Sequence, residues 1–239
     1  MRYRKKRRLP LLLLLLILVI AFFSIKAVVQ EFPLDSTNVF NIHHTADESR
    51  GWNLILVNRD NYIPKNYEVE LTILSNGEQV DSRIYPDLQA MLDDARAAGL
   101  QLFVRDGYRS QEEQQEILDE KIEAYRNEGY SRSEAEKLAK EWVAVPGTSE
   151  HQLGLAVDIN ADTSVCSKDA VYSWLAENSY KYGFIFRYPS DKKDITGVIN
   201  EPWHYRYVGK EAAEEIYESG LCLEEYLQQL DESGYGIHK

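Results

Sequence analysis

With 239 residues, of which 44% are hydrophobic, the chain can form one globular domain of ordinary size plus a tail. Residues 1–29 contain seven Lys and Arg residues and no acid, so the rest of the chain holds 20 basic and 39 acidic residues, a net charge of about −19. Nucleic-acid binding needs a basic face that neutralises phosphates, so this composition excludes a nucleic-acid-binding domain. The two cysteines, Cys166 and Cys222, leave a disulfide open, because sequence does not show how close their Cα atoms come.

The amino terminus joins a strongly basic segment, residues 1–8, to an apolar run over residues 9–29. A run of this length spans a bilayer if Lys26 snorkels to the interface. The basic flank favours the cytoplasmic side, which predicts a single-pass protein of the cell membrane with its remaining residues outside. A cleaved signal peptide is the alternative, although no small-x-small cleavage site follows the run. Both interpretations export a domain over 51–239, preceded by a linker over 30–50.

The hydrophobic pattern predicts short strands interspersed with helices along the domain. Strands are predicted at 54–57, 68–74, 79–84, 100–104, 153–159, 184–187 and 203–208. Helices are predicted at 85–98, 110–127, 131–142 and 169–178, with two short ones at the C-terminus. Ser110-x-x-Glu113 and Ser131-x-x-Glu134 both have the form of a capping box. Because strands and helices do not alternate regularly, we expect an α+β fold with a small, mostly antiparallel sheet flanked by helices.

Three segments carry candidate chemistry, and the central one is SEHQLGLAVD at 149–158. Side chains alternate along a strand, so Asp158 faces away from the apolar residues around it and shares its face with Gly154 and Ala156. These two small residues are expected to leave space for an ion and a substrate beside the carboxylate. His151, in the preceding loop, can curl back toward the same ion.

The third segment, EPWH at 201–204, adds a second histidine and a second carboxylate. His204 lies early on a predicted strand, where Trp203, Tyr205 and Tyr207 take the opposite face and are expected to anchor it. Two His and one Asp leave the fourth position of a tetrahedral zinc open for water. A carboxylate that does not bind the metal must take a proton from that water, and Glu201 has the right type and placement.

These segments resemble the zinc D-alanyl-D-alanine carboxypeptidases of the VanY type over about residues 50–230. SEHQLGLAVD matches their SxHxxGxAxD signature, EPWHY their ExxH segment, and GYRS at 107–110 the segment that supplies their active-site arginine. The resemblance implies a Hedgehog/D-Ala-D-Ala-peptidase-like fold and one zinc ion, with Glu201 as the base. The positions that match the zinc ligands are His151, Asp158 and His204. Arg109 matches the arginine that polarises the scissile carbonyl, Ser149 the residue that helps hold the substrate's terminal carboxylate, and Gln152 is a further candidate for that subsite.

The resemblance implies hydrolysis of the C-terminal D-alanine from peptidoglycan stem peptides, a substrate found just outside the membrane. An L,D-carboxypeptidase acting on tetrapeptide stems uses the same zinc chemistry and is the first alternative. A non-catalytic wall-binding module that kept the fold is the second. Loss of Glu201 or of a ligand would favour the binding module, and all of these residues are present.

Overall fold

The computed structural model describes residues 44–233, and the apolar segment at 9–29 lies outside them. Among the described residues, no helix combines the length and the apolar character that crossing a membrane requires. The first strand in the described part of the chain, His44–Thr45, lies inside the segment predicted as a linker.

Most of the structure is built on short strands and medium helices. The strands are β1 His44–Thr45, β2 Asn61–Tyr62, β3 Leu71–Ile73, β4 Gln79–Asp81, β5 Leu102–Asp106, β6 Ala156–Ala161, β7 Phe184–Phe186 and β8 His204–Tyr207. The helices are α1 Tyr85–Ala97, α2 Gln111–Asn127, α3 Arg132–Ala139, α4 Lys168–Asn178, α5 Lys193–Thr196, α6 Lys210–Ser219 and α7 Leu223–Ser233. Short 3-10 helices occupy Glu150–Leu153, Ser179–Tyr182 and Ser190–Lys192.

The main sheet has four antiparallel strands in the order β5-β6-β8-β7. β3 and β4 form a separate antiparallel hairpin, and β1 pairs with β2 in parallel. Helices and a mostly antiparallel sheet are therefore combined without regular alternation, which confirms a mixed helix and sheet fold.

Helices cover both faces of the main sheet. One face packs on the buried side of α1, formed by Leu88, Met91, Leu92 and Ala95, and on Val171 and Leu175 of α4. On the other face, Ile185 of β7 packs with apolar residues of α6 and α7. The alternation of side chains along each strand separates these two apolar clusters. The part of this second face that β6 and β8 form carries the polar residues of the site.

The capping boxes begin helices where the sequence predicts. At the start of α2 the Ser110 hydroxyl accepts a hydrogen bond from Glu113 N–H (3.1 Å), and the Glu113 carboxylate accepts from Ser110 N–H (2.7 Å). Ser131 and Glu134 repeat both bonds at the start of α3. Gly99, with φ +85°, follows the end of α1 in the left-handed region that favours glycine. α3 ends at Ala139, three residues earlier than predicted.

The prediction of a strand at 54–57 is wrong, although the segment is buried as expected. Ile55 and Val57 are fully buried in the main core, but the segment joins no ladder. The carbonyl of Ile55 instead accepts a hydrogen bond from the Arg206 guanidinium (2.8 Å). A side-chain donor thus satisfies a buried backbone group that a neighbouring strand would otherwise satisfy.

The other predicted strands are present, but their bounds differ from the predicted ones by one to three residues. The strand predicted at 79–84 ends at Asp81, and the one predicted at 153–159 runs instead over Ala156–Ala161. The second shift arises because the Glu150–Leu153 turn ends on Gly154, whose φ of +71° is incompatible with a strand.

Cys166 and Cys222 are free thiols, so the disulfide left open by the sequence is not formed. Cys166 packs on the main core and receives a hydrogen bond from the backbone N–H of Gln101 (3.3 Å). Cys222 is buried just ahead of α7, where its N–H donates to the Glu225 carboxylate (2.8 Å).

Candidate active site

The three predicted zinc ligands come together on the polar face of the sheet. Asp158 of β6 and His204 of β8 are directly paired across the ladder, and His204 Nδ1 lies 3.0 Å from Asp158 Oδ1. His151 reaches the same carboxylate from the Glu150–Leu153 turn, with Nε2 3.4 Å from Asp158 Oδ1. One ligand atom from each residue lies within 4.8 Å of the others. Two imidazoles and a carboxylate, with room for a fourth ligand, are a donor set that suits catalytic zinc.

Both histidine rings are held by the nitrogen that faces away from this cluster. His151 Nδ1 lies 2.7 Å from the carbonyl oxygen of Gly107, which leaves Nε2 for a metal. His204 is turned the other way: its Nε2 lies 3.4 Å from the Glu150 carboxylate, and its Nδ1 faces Asp158. The rings meet edge to face, with centroids 4.9 Å apart. Metal-binding histidines are oriented by such outer acceptors, so these residues fit a zinc ion.

The electrostatics of the cluster oppose the effects of burial. Burial raises the pKa of Asp158, but the imidazoles of His151 and His204 hold it well below its usual range. Burial also lowers the pKa of His204, but hydrogen bonds to Asp158 and Glu150 raise it to about 9. The site therefore favours positive charge, as a metal-binding site must.

Glu201 lies beside the ligand cluster without belonging to it. Its carboxylate is 3.8 Å from His204 Nδ1, and its backbone is fixed by a bond from its N–H to the Tyr188 carbonyl (3.2 Å). Burial raises the pKa of this carboxyl, and the negative charge of Asp158 adds to the effect. A carboxylate near a metal site, with a raised pKa, has the placement and proton affinity that a general base requires.

Arg109 reaches the cluster from the loop before α2. Its guanidinium donates to both carboxylate oxygens of Asp106 (2.7 to 3.1 Å) and to the side-chain oxygen of Gln114 (3.1 Å). Nη2 lies 3.8 Å from the Asp158 carboxylate. The arginine is thus held with its charge at the edge of the proposed metal position.

A cavity of about 240 Å³ opens over these residues. Arg109, Ser149, Glu201 and the three candidate ligands line it. Gln152 does not: its side-chain oxygen accepts a hydrogen bond from Gly147 N–H (2.7 Å) and holds the preceding turn. Ser149 therefore lies where a substrate can reach it, whereas the contacts of Gln152 are structural and its substrate-binding role stays a prediction.

Comparison with known proteins decides the family. Residues 77–210, more than half of the chain, match the family model described as VanY: D-alanyl-D-alanine carboxypeptidase. The chain belongs to the VanY family. A D-alanyl-D-alanine carboxypeptidase of Enterococcus faecalis is 62% identical over 180 residues, which cover 75% of this chain and 67% of that protein.

Solved structures of similar proteins share the fold. The vancomycin-resistance D,D-pentapeptidase VanY of a VanB-type resistance cassette, in complex with Zn(II), has a TM-score of 0.71 and 63% identity, covering 74% of this chain and 99% of that one. The L,D-carboxypeptidase LdcB has a TM-score of 0.63 and 38% identity, covering 72% and 84% respectively.

Two expectations about small and aromatic residues of the VanY motifs need correction. A Cβ on Gly154 would lie 3.0 Å from the backbone nitrogen of Asp81, so this glycine allows close packing on β4 rather than leaving room for an ion. Ala156 is paired with Arg206 across the ladder, and directly opposed residues share a face, so its small side chain accommodates the arginine. Trp203 precedes β8 and lines the cavity, whereas Tyr205 and Tyr207 belong to the core as predicted.

Sequence reasoning missed the charged residues behind the ligands. Glu150, Arg187 and Arg206 are buried together, and Glu224 of α7 joins them through two bonds to Arg187 (2.7 and 2.8 Å). Burial alone would raise the pKa of Glu150, but the two guanidinium groups and His204 hold it well below its usual range. The signal was present, because an arginine inside the apolar segments FIFRY and WHYRYV requires a buried acid as partner.

Proposed function

We propose that this chain is a zinc-dependent D-alanyl-D-alanine carboxypeptidase that removes the C-terminal D-alanine from peptidoglycan stem peptides. The observation that carries the proposal is the convergence of His151, Asp158 and His204 on one point, with Glu201 beside them in an open cavity. Membership of the VanY family supplies the substrate class.

The two histidines and the aspartate would hold one zinc ion. When bound, zinc supplies a Lewis acid that lowers the pKa of water to about 7 and polarises the scissile carbonyl. Zinc also fits the relatives, since a VanY of 63% identity is described in complex with Zn(II).

The remaining residues divide the work of the reaction. Glu201 takes a proton from the attacking water and returns it to the nitrogen of the departing D-alanine. Arg109 donates hydrogen bonds to the carbonyl oxygen as negative charge develops on that oxygen. Because the guanidinium is already held in place, it does not have to move during the reaction. Ser149, which lines the same cavity, donates its hydroxyl to the substrate's terminal carboxylate.

D,D-specificity is better supported than L,D-specificity. The D-alanyl-D-alanine carboxypeptidase of E. faecalis is 62% identical, whereas the L,D-carboxypeptidase LdcB is 38% identical. The presence of a base beside a complete ligand set argues against a binding module without activity.

The substrate assay uses the full-length chain with pentapeptide and tetrapeptide stems and analyses the products by mass spectrometry. We expect loss of one D-alanine from the pentapeptide, abolished by a chelator and restored by zinc. Cleavage of the tetrapeptide alone would replace the proposal with an L,D-carboxypeptidase. Binding of both peptides without cleavage by the zinc-loaded protein would leave only a binding module.

Glu201→Gln tests the base. The amide keeps the size of the side chain but takes up no proton, so we expect zinc binding to be retained and kcat to fall by about 100-fold or more. Glu141→Gln is the matched control, since Glu141 lines the same cavity and is exposed. Equal kcat values for the two variants would show that Glu201 is not the base.

The membrane segment is a second part of the proposal. A basic flank followed by an apolar run over residues 9–29 supports a single-pass anchor with the catalytic domain over 51–239 outside, close to its substrate. Fractionation of cells that express the full chain should place it in the membrane, with the domain cleaved by protease added outside. An N-terminus of the cell-associated protein that begins after residue 29 would show a cleaved signal peptide instead.

A further inference from the structure

The outer nitrogen of His204 faces a carboxylate, whereas that of His151 faces a backbone carbonyl. Glu150 Oε2 lies 3.4 Å from His204 Nε2, and the carbonyl of Gly107 lies 2.7 Å from His151 Nδ1. The two rings are therefore turned in opposite senses, and His204 presents Nδ1 to the cluster. Whether Nδ1 of His204 can bind a metal therefore depends on which of its nitrogens carries the proton.

Two arginines hold the Glu150 carboxylate independently of its contact with His204. Its other oxygen, Oε1, accepts from Arg187 Nε (2.8 Å) and from Arg206 Nη1 (3.0 Å). Both guanidinium groups are fully buried, and the glutamate side chain is 1% exposed. Arg206 is held in turn by the carbonyl oxygens of Asn53 and Ile55. The carboxylate thus has one oxygen occupied by arginines and the other aimed at His204.

We propose that Glu150, clamped by Arg187 and Arg206, is a positioning residue that keeps the proton of His204 on Nε2 and so leaves Nδ1 free to bind the metal. This inference rests on the proposed zinc site and goes beyond its ligands and base. Outer-shell acceptors of this kind fix the tautomer of a ligand and increase its basicity.

Replacing Glu150 by glutamine would reverse this preference. The two arginines donate to Oε1, so the amide oxygen of Gln must take that place. The amide nitrogen then occupies the position of Oε2 and donates to His204 Nε2. A ring that accepts at Nε2 carries its proton on Nδ1, the atom that faces Asp158, and cannot bind a metal there.

The experiment measures zinc affinity by competition with a chromogenic chelator, using full-length wild type and Glu150→Gln. The imidazole ¹⁵N shifts of wild type and of the variant, both recorded with zinc added, report which nitrogen of His204 carries the proton. We expect zinc affinity to fall about 10- to 100-fold, and the proton to lie on Nε2 in wild type and on Nδ1 in the variant. Glu224→Gln is the control, because the Glu224 carboxylate accepts two hydrogen bonds from Arg187, on the far side of the network from His204. It should keep wild-type zinc affinity.

The outcomes separate this inference from the proposed function. If wild type binds zinc and releases D-alanine but Glu150→Gln binds zinc equally well, the inference is overturned and the function stands. Equal losses of affinity in Glu150→Gln and Glu224→Gln would show a general effect of the network and also overturn it. If wild type neither binds zinc nor releases D-alanine, both fail. Should Glu150→Gln not fold, the wild-type spectrum decides, since metal bound to Nε2 of His204 would contradict the proposal.

Discussion

Arg109 is held on two sides by the protein itself. Asp106 accepts three hydrogen bonds from its guanidinium, and Gln114, itself fully buried, accepts a fourth. A register shift in the β5–β6 ladder lies between Val104 and Asp106. Such irregularities re-aim side chains near active sites, and here the aspartate is turned toward the arginine.

Asp106→Ala should therefore impair catalysis without removing the arginine. Arg109 would lose most of its bonds and its fixed position, and we expect kcat to fall about 10- to 100-fold with zinc affinity unchanged. Asp93→Ala is a suitable control, since Asp93 pairs with Arg96 on the exposed side of α1. Steady-state kinetics on a pentapeptide stem make the comparison, and an unchanged kcat in Asp106→Ala would show that Arg109 needs no such support.

The two cysteines should differ sharply in reactivity. Burial raises the pKa of Cys222 to about 11, so little of the reactive thiolate forms at neutral pH. Cys166 is partly exposed. Iodoacetamide at about pH 8 should add one group per native chain, on Cys166, and a second only after denaturation. A denatured, unreduced chain that takes up none would show a disulfide, and a native chain that takes up two would show Cys222 to be accessible.

The ligands could be predicted from sequence, but the residue that orients one of them could not. Asp158 and His204 are each identified by a motif and by their place opposite an apolar strand face. Glu150 lies between two motif residues with no periodicity to mark it. Its role depends on Arg187 and Arg206, which lie 37 and 56 residues further along the chain. Contacts between residues this far apart in sequence depend on how the strands and helices are arranged in the fold, and local sequence patterns do not determine that arrangement.

At the level of elements, helices were predicted more accurately than strands. A capping box uses two residues three positions apart, so Ser110 and Glu113 mark the start of α2 in any tertiary context. A strand exists only if another strand pairs with it. Residues 54–57 are apolar and buried, but Arg206 takes the carbonyl that a partner strand would have bonded. Burial follows from composition, whereas pairing depends on the rest of the fold.

Arg187 connects three elements, and we expect its replacement to lower the free energy of unfolding. It follows β7, bonds to Glu150 of the site turn and makes a two-pronged bond to Glu224 of α7. Arg187→Met would remove the ion pair of Glu224 with Arg187 and leave Glu150 in contact with Arg206 and His204. Removing one partner of a buried ion pair costs about 3–5 kcal/mol, because the remaining charge stays buried.

Urea unfolding of the metal-free protein measures this loss without a contribution from zinc. Arg96→Met is the comparison, since Arg96 makes an exposed pair within α1 and its removal should leave stability within error of wild type. Equal midpoints for the two variants would show that the buried network contributes nothing net to folding.

At the scale of the whole molecule, acid has two opposing effects. The chain has a net charge of −12 at neutral pH, and repulsion among its surface carboxylates weakens as the pH falls toward a pI of about 5.0. The buried carboxylates act in the other direction. Asp158, Glu150 and Glu224 all have pKa values below their ordinary ones in the folded state.

The sign of the buried contribution follows from proton uptake. Below the ordinary glutamate pKa of 4.5, these carboxylates bind protons in the unfolded chain but stay ionised in the folded chain, so acid favours unfolding. This stabilisation is complete above that pH and is lost as the pH falls toward the folded values. Surface repulsion changes most between neutral pH and the pI, where the buried groups are still fully ionised.

We therefore expect the stability of the metal-free chain to rise modestly from about pH 7 to 5 and to fall steeply below about pH 4.5. Urea midpoints at several pH values give the profile. Glu224→Gln removes one of the depressed carboxyls, so its decline below about pH 4.5 should be shallower than that of wild type. Parallel declines would mean that this carboxyl does not contribute, and a stability that keeps rising below that pH would contradict a stabilising role for the buried carboxylates.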